Sequence, residues 1–246
     1  MGKERLDKIL ASQNIASRRE AGLLIRRGAV LVNGAPVAKA DFKVDPELDE
    51  ITVNGRILNA KKYVYYMMNK PAGVLSAARD SRAKTVVDLI PPGMQRRGLF
   101  PAGRLDKDTE GLLLITDDGA FAHRMLAPKS HVFKRYEAVL ESPVSEGDAE
   151  RFEKGLELGD MTCLPAQLRV LQEGPNPLVL VRIREGKFHQ VKRMFLAVGN
   201  RVQRLKRVQI GALCLDEALA PGEVRELSPK EAELVFEPDG NLYEIH

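Results

Sequence analysis

Gly103-Arg104-Leu105-Asp106-Lys107-Asp108-Thr109-Glu110-Gly111-Leu112-Leu113-Leu114-Ile115 is the stretch on which the reading of this chain turns. Its first half is polar and carries carboxylates at 106, 108 and 110. Its second half, 112–115, is apolar, far too short to span a bilayer, and reads as a buried strand entered from a polar turn. Outward from it, strands are expected around 63–68, 133–141, 168–173, 178–184 and 201–215, with Asn69-Lys70-Pro71-Ala72-Gly73 as a tight turn. Helices are expected at 119–126 and 145–154. Another begins near Phe188, where Val191, Met194, Phe195 and Val198 follow a helical stripe that ends at Gly199-Asn200. A last one opens at Ser228-Pro229-Lys230-Glu231, with a cap, a proline at N1 and a glutamate at N3. Strands with intercalated helices but no βαβ rhythm predict an α+β fold with a mixed, largely antiparallel sheet and flanking helices.

The first quarter has a different texture. Leu6, Ile9 and Leu10 mark a short helix, and Ser17-Arg18-Arg19-Glu20 fits a capping box opening a second. That second helix turns Ala21, Leu24 and Ile25 inward and stops at Gly28. Val30 and Val32 alternate before Asn33-Gly34, and a second hairpin signal, Asn54-Gly55, follows Ile51-Thr52-Val53. Of the chain's 38 Lys/Arg and 34 Asp/Glu, residues 1–62 hold 12 and 8, leaving 26 of each for the rest. All the net positive charge therefore sits in this head. Arg18, Arg19, Arg26 and Arg27 cluster on one helix, at a spacing that suits phosphates along a nucleic-acid backbone. With only Asn59-Ala60-Lys61-Lys62 as tether, the expected division is residues 1–60 and 61–246.

The 246 residues are 44% hydrophobic and 29% charged, which argues against disorder, collagen and coiled coil. The N-terminus lacks an apolar signal core, so a cytoplasmic, membrane-free protein is expected. Cys163 and Cys214 are expected to be reduced core thiols. No Walker A, G-x-G-x-x-G, H-x-E or C-x-x-C pattern occurs, and His123, His131, His189 and His246 are scattered. No metal or cofactor is therefore expected. Asp106, Asp108, Glu110 and Gly111 imitate the start of an EF-hand loop. However, Leu114 and Asp117 occupy its ninth and twelfth positions, and Pro101 and Gly103 interrupt the entering helix, which excludes it. An aspartyl phosphatase remains a weaker alternative without magnesium ligands. A polar turn with Asp106 as a cap is the plainest reading of spacing alone.

Whole-chain patterns add to this. Residues 3–50, with Arg5-Leu6-Asp7-Lys8-Ile9-Leu10, Ser17-Arg18-Arg19-Glu20-Ala21 and Gly28-Ala29-Val30-Leu31-Val32-Asn33-Gly34, resemble an S4 RNA-binding domain. The 103–114 stretch is similar to the signature of pseudouridine synthases of the RsuA branch. Asn69-Lys70-Pro71-Ala72-Gly73, Lys134-Arg135-Tyr136, Glu185-Gly186-Lys187-Phe188-His189-Gln190-Val191-Lys192-Arg193-Met194-Phe195 and Arg207-Val208-Gln209-Ile210-Gly211-Ala212-Leu213 follow in the order of that family.

The resemblance implies an isomerisation of uridine in RNA that needs no cofactor. It assigns Asp106 as the reacting carboxylate and Lys192 as its basic neighbour. Many members carry arginine at the latter position, so Arg193 is the alternative. It assigns Tyr136 to stacking on the target base, and Arg104 to the space or phosphates left by the flipped nucleotide. Lys70 and Pro71 shape the site, and Lys70 and Arg193 join Arg18, Arg19, Arg26 and Arg27 as RNA-contacting cations. Glu110 has no role. The implied partner is ribosomal RNA or a subunit assembly intermediate, met by a monomer, with 16S rRNA preferred. A 23S rRNA enzyme and a non-catalytic S4-type ribosome-associated protein are the alternatives.

Overall fold

The computed structural model describes residues 3–46 and 48–240. They form two compact units: the described residues up to Val64 together with Ile90–Leu99, and Tyr65–Leu89 together with the described residues from Phe100 onward.

In the first unit, β1 (Glu4–Arg5) leads into α1 (Leu6–Ser12), followed by α2 (Arg18–Arg26). Ser17 Oγ accepts from Glu20 N, and Glu20 Oε2 accepts from Ser17 N at 2.8 Å, completing the capping box. Gly28, at φ +73°, follows the helix. Next come β2 (Val30–Val32), β3 (Ala35–Pro36), β4 (Lys43–Val44), β5 (Ile51–Val53) and β6 (Arg56–Leu58). The larger sheet runs β3-β2-β5-β6, while β1 pairs with β4. Asn33-Gly34 and Asn54-Gly55 all have positive φ, as a type I′ turn requires. Leu6, Leu10, Ala21, Ile25, Val30 and Ile51 are fully buried together, so the helical stripes and strand alternation meet in one core. The Ile90–Leu99 segment joins this unit: Arg97 N donates to Ser12 O at 3.3 Å and Arg96 Nη2 to Lys62 O at 2.7 Å. Nothing in its local composition signals that.

The second unit contains β7 (Tyr65–Lys70), β8 (Phe100–Ala102), β9 (Glu110–Thr116), α3 (Gly119–Leu126), β10 (Lys134–Leu140) and α4 (Asp148–Lys154). It continues with β11 (Gln167–Gln172), β12 (Leu178–Ile183), α5 (Gln190–Ala197), β13 (Val202–Ile210), β14 (Leu213–Cys214), β15 (Val224–Glu226) and α6 (Pro229–Glu233). The sheet order is β11-β12-β10-β13-β9-β7-β15, with β14 on β13 and β8 on β9. Every pairing is antiparallel except β9 with β13, which touch only at Lys206↔Glu110 and Arg207↔Gly111. The fold is therefore α+β with a mixed, largely antiparallel sheet.

Asp118 caps α3 by accepting from Ala120 N and Phe121 N, both at 3.0 Å. Phe121 and Met125 pack with Met67, Leu112 and Leu114 on the sheet. Phe152 of α4 and Phe195 of α5 meet at 5.1 Å. Three expectations change. Asn69 and Lys70 end strand β7 instead of opening a turn. The 201–215 strand is a hairpin of two strands broken at Gly211-Ala212. Cys163 is buried, but Cys214 is exposed, because it follows inward-facing Leu213 and the next side chain on a strand points the opposite way.

Candidate active site

Asp106 sits on the connection between β8 and β9, and neighbouring segments hold that connection by its backbone. Ser76 Oγ donates to Leu105 O at 2.8 Å and accepts from Leu105 N at 3.1 Å. Gly73 N donates to Lys107 O at 2.7 Å, and Thr109 N to Asp106 O at 3.1 Å. Lys70, at the end of β7, is fully buried and its Nζ donates to the carbonyls of Pro71, Lys107 and Thr109 at 3.0, 3.2 and 2.9 Å. Its three donors thus tie both sides of the acidic turn to one strand end. This corrects the expectation of an RNA-contacting cation at Lys70: a fully buried ammonium committed to three carbonyls presents no charge to a polyanion.

Burial lowers the Lys70 pKa from its ordinary 10.5 to about 8, against the opposing pull of Asp108, Asp106 and Glu110. Burial, with Arg207 nearby, lowers that of Lys134 equally. Between about pH 8 and 10.5 the unfolded chain therefore binds more protons at these sites, so both lysines make stability rise with pH in that window. The urea midpoint of the wild type is expected to climb from pH 8 to 10.5, and that of Lys70→Met to climb less. Equal slopes would contradict the burial of this ammonium.

The Asp106 side chain is one-quarter exposed and opens onto a pocket that Arg104, Asp106, Thr109, Tyr136, Lys187 and His189 help to line. Lys192 Nζ, reaching from α5, lies 3.6 Å from Asp106 Oδ2 and 2.5 Å from Asp108 Oδ1. The Lys192 hydrogen bond holds the Asp108 carboxyl below the usual carboxylate range. His189 Nε2 is 3.6 Å from Asp106 Oδ1, on the other side of the carboxylate group. Tyr136 is buried on β10 between β12 and β13, and its ring forms part of the pocket wall. A carboxylate, an imidazole and an aromatic residue thus line one concavity, with the Lys192 cation beside the carboxylate, an arrangement suited to acid–base or nucleophilic work on a ring-bearing substrate.

Sequence reasoning did not single out His189 or Ser76. His189 stood inside a quoted motif but without a role, and Ser76 lies in a stretch with no pattern of its own. Arg104 is exposed and makes no ion pair among the described residues. Arg193 corrects an expectation: it does not stand in for Lys192, because its Nη2 bonds Leu158 O at 3.0 Å and Asp160, whereas Lys192 reaches Asp106 and Asp108.

In the first unit, Arg18 lies 3.4 Å from Asp7, whose carboxylate also takes two hydrogen bonds from Arg5. Arg18 is thus partly committed to an acidic partner on α1. Arg19, Arg26 and Arg27 are exposed and make no ion pair among the described residues. His246 lies outside those residues. Among them, no helix is long and apolar enough to cross a membrane.

An S4-like head with exposed arginines, and a mixed-sheet body presenting an aspartate in a pocket, define an RNA-modifying enzyme. The chain belongs to the RNA pseudouridylate synthase family, whose match covers residues 64–197, and an S4 domain match covers residues 4–51. It is an isomerase of uridine in RNA. It is 48% identical over 236 residues to an uncharacterized RNA pseudouridine synthase, YtzG, of Bacillus subtilis, spanning 95% of this chain and 99% of that protein. It is 43% identical over 229 residues to ribosomal small subunit pseudouridine synthase A of Escherichia coli K12, spanning 92% and 97%. A crystal structure of a pseudouridylate synthase aligns with a TM-score of 0.66 at 37% identity, covering 94% of this chain and 99% of that one.

Proposed function

We propose that this enzyme isomerises one uridine of small-subunit (16S) ribosomal RNA, with Asp106 as the reacting carboxylate. The observation that carries the chemical part is the Asp106 carboxylate opening onto a pocket between Lys192 and His189, with Tyr136 in the wall. The substrate part rests on near-full-length similarity to a ribosomal small subunit pseudouridine synthase.

Pseudouridine formation breaks the N1–C1′ bond, turns the uracil, and joins C5 to C1′. C5 then loses a proton and N1 gains one. Both routes open to a carboxylate, attack at C1′ and proton removal at C2′, require it ionised and against the ribose. Lys192 supplies positive charge opposite it, so that an anion can persist in a pocket that substrate closes to water. The sugar of a paired nucleotide cannot reach such a pocket, so the uridine must leave its stack, and the Tyr136 ring receives the base. Arg104 takes a phosphate or the emptied position. Lys70 acts through the turn it ties.

The α2 arginines dock the RNA backbone. Replacing Arg19, Arg26 and Arg27 by alanine is expected to weaken rRNA binding and to lower the slope of log affinity against log salt by about 2 to 3. An unchanged slope would contradict docking by this helix. Pseudouridine mapping of ribosomal RNA from cells lacking the protein tests the substrate: one position in 16S rRNA should revert to uridine and return on complementation. Loss of a 23S position instead would replace the substrate, and no loss at all would overturn the reading.

A further inference from the structure

At the rim of the pocket Phe188 is 74% exposed, yet it is held in place. Its ring lies 3.8 Å from the His189 imidazole, centroid to centroid, with only 19° between the planes. The same imidazole lines the pocket and reaches to 3.6 Å from Asp106. The backbone at His189 is left-handed, φ +49°, a conformation that disfavours any residue with a β-carbon and is retained where surroundings enforce it. Those surroundings are visible: Gln190 Oε1 accepts from Lys187 N at 3.0 Å, and Gln190 Nε2 donates to Glu185 Oε1 at 2.7 Å. A rigid turn therefore holds an apolar ring out in water with one face covered by imidazole.

The spacing of this pair is close to the roughly 3.4 Å repeat of stacked nucleotides. Phe188 is not among the pocket-lining residues, and its ring lies against the imidazole that is. Arg104, which lines the pocket, is exposed and makes no ion pair among the described residues, and it offers a cation to a polyanion there. We infer that the exposed face of Phe188 stacks on the nucleobase next to the everted uridine and holds the strand open while the uridine is in the pocket. This rests on the isomerase reading above and adds a substrate contact to the same site. Stacking on an aromatic ring tolerates any base, so the contact grips the strand without selecting sequence.

The test uses the full-length protein and the rRNA fragment that the wild type modifies. Phe188→Ala should keep the wild-type melting temperature and raise KM about tenfold, with the loss falling on KM and not on kcat, and Phe188→Tyr should restore it. An abasic nucleotide placed in turn on each side of the target should raise the wild-type KM about tenfold on one side. The same abasic RNA should cost Phe188→Ala nothing further, because the two changes remove one contact. An unchanged KM in Phe188→Ala overturns the inference. So do penalties that multiply on both sides, which would mean that Phe188 meets something other than a base. If the wild type turns over no RNA, the isomerase reading falls and takes this inference with it.

Discussion

Gly111→Ala is expected to lower the melting temperature of the protein by about 10 °C or more, or to leave it insoluble. Gly111 stands where β9 meets β13, at φ +98°, and a β-carbon built there would lie 2.2 Å from Arg207 O and 2.9 Å from Arg207 N. Both neighbours are main-chain atoms of a central strand, so no side chain can swing aside to make room. The backbone conformation is one that alanine adopts only under strain. Strain and overpacking together place the change in the class costing more than about 4 kcal/mol. Gly119→Ala is the control, because nothing lies within 4 Å of a β-carbon there and φ is not in the left-handed region. A Gly111→Ala protein melting within about 2 °C of wild type would contradict the close crossing of the two strands. The effect reaches the site, since Gly111 follows the acidic turn directly and Arg207 on β13 is paired with both Gly111 and Tyr136.

Much of this architecture could be read from the chain because its signals are local. The capping boxes at Ser17 and Ser228, the Asn-Gly hairpins and the stripe of Val191, Met194 and Phe195 each need only a few neighbouring residues to specify a conformation. What could not be read depends on residues far apart in sequence. Ser76 touches Leu105 across 29 positions, and neither carries a pattern that announces the pair. The attachment of Ile90–Leu99 to the N-terminal unit, the pairing of Arg18 with Asp7 and the turn of Arg193 toward Asp160 are of the same kind. Cys214 was misread because its residue type favours burial, while the two-residue strand it occupies faces it outward.

At the site, the motifs point to Asp106, Tyr136 and Lys192, and the structure brings Lys192 to 3.6 Å from Asp106 and sets Tyr136 in the same pocket as Asp106. The geometry adds that Lys192 is shared with Asp108 at the shorter distance, and that His189 closes the other side of the carboxylate. Lys70 shows the limit of motif reading most clearly. Its place in the sequence gives a cation near a turn, whereas its three carbonyl contacts show that it fastens the turn from inside.

Asp106→Asn carries the largest expected effect on activity. The carboxamide has the shape of the carboxylate and leaves untouched the bonds from Ser76, Lys70 and Gly73, all of which go to main chain or to other residues. Folding and RNA affinity should therefore stay near wild type. The amide can neither attack C1′ nor take a proton from C2′, so turnover should fall by at least about 10³-fold. The decisive measurement digests the rRNA substrate to nucleosides after incubation with excess enzyme and counts pseudouridine per molecule. One per RNA with the wild type and none with Asp106→Asn, at equal RNA binding, is the predicted result. Product at the wild-type rate from the Asn variant would contradict a catalytic carboxylate at this position.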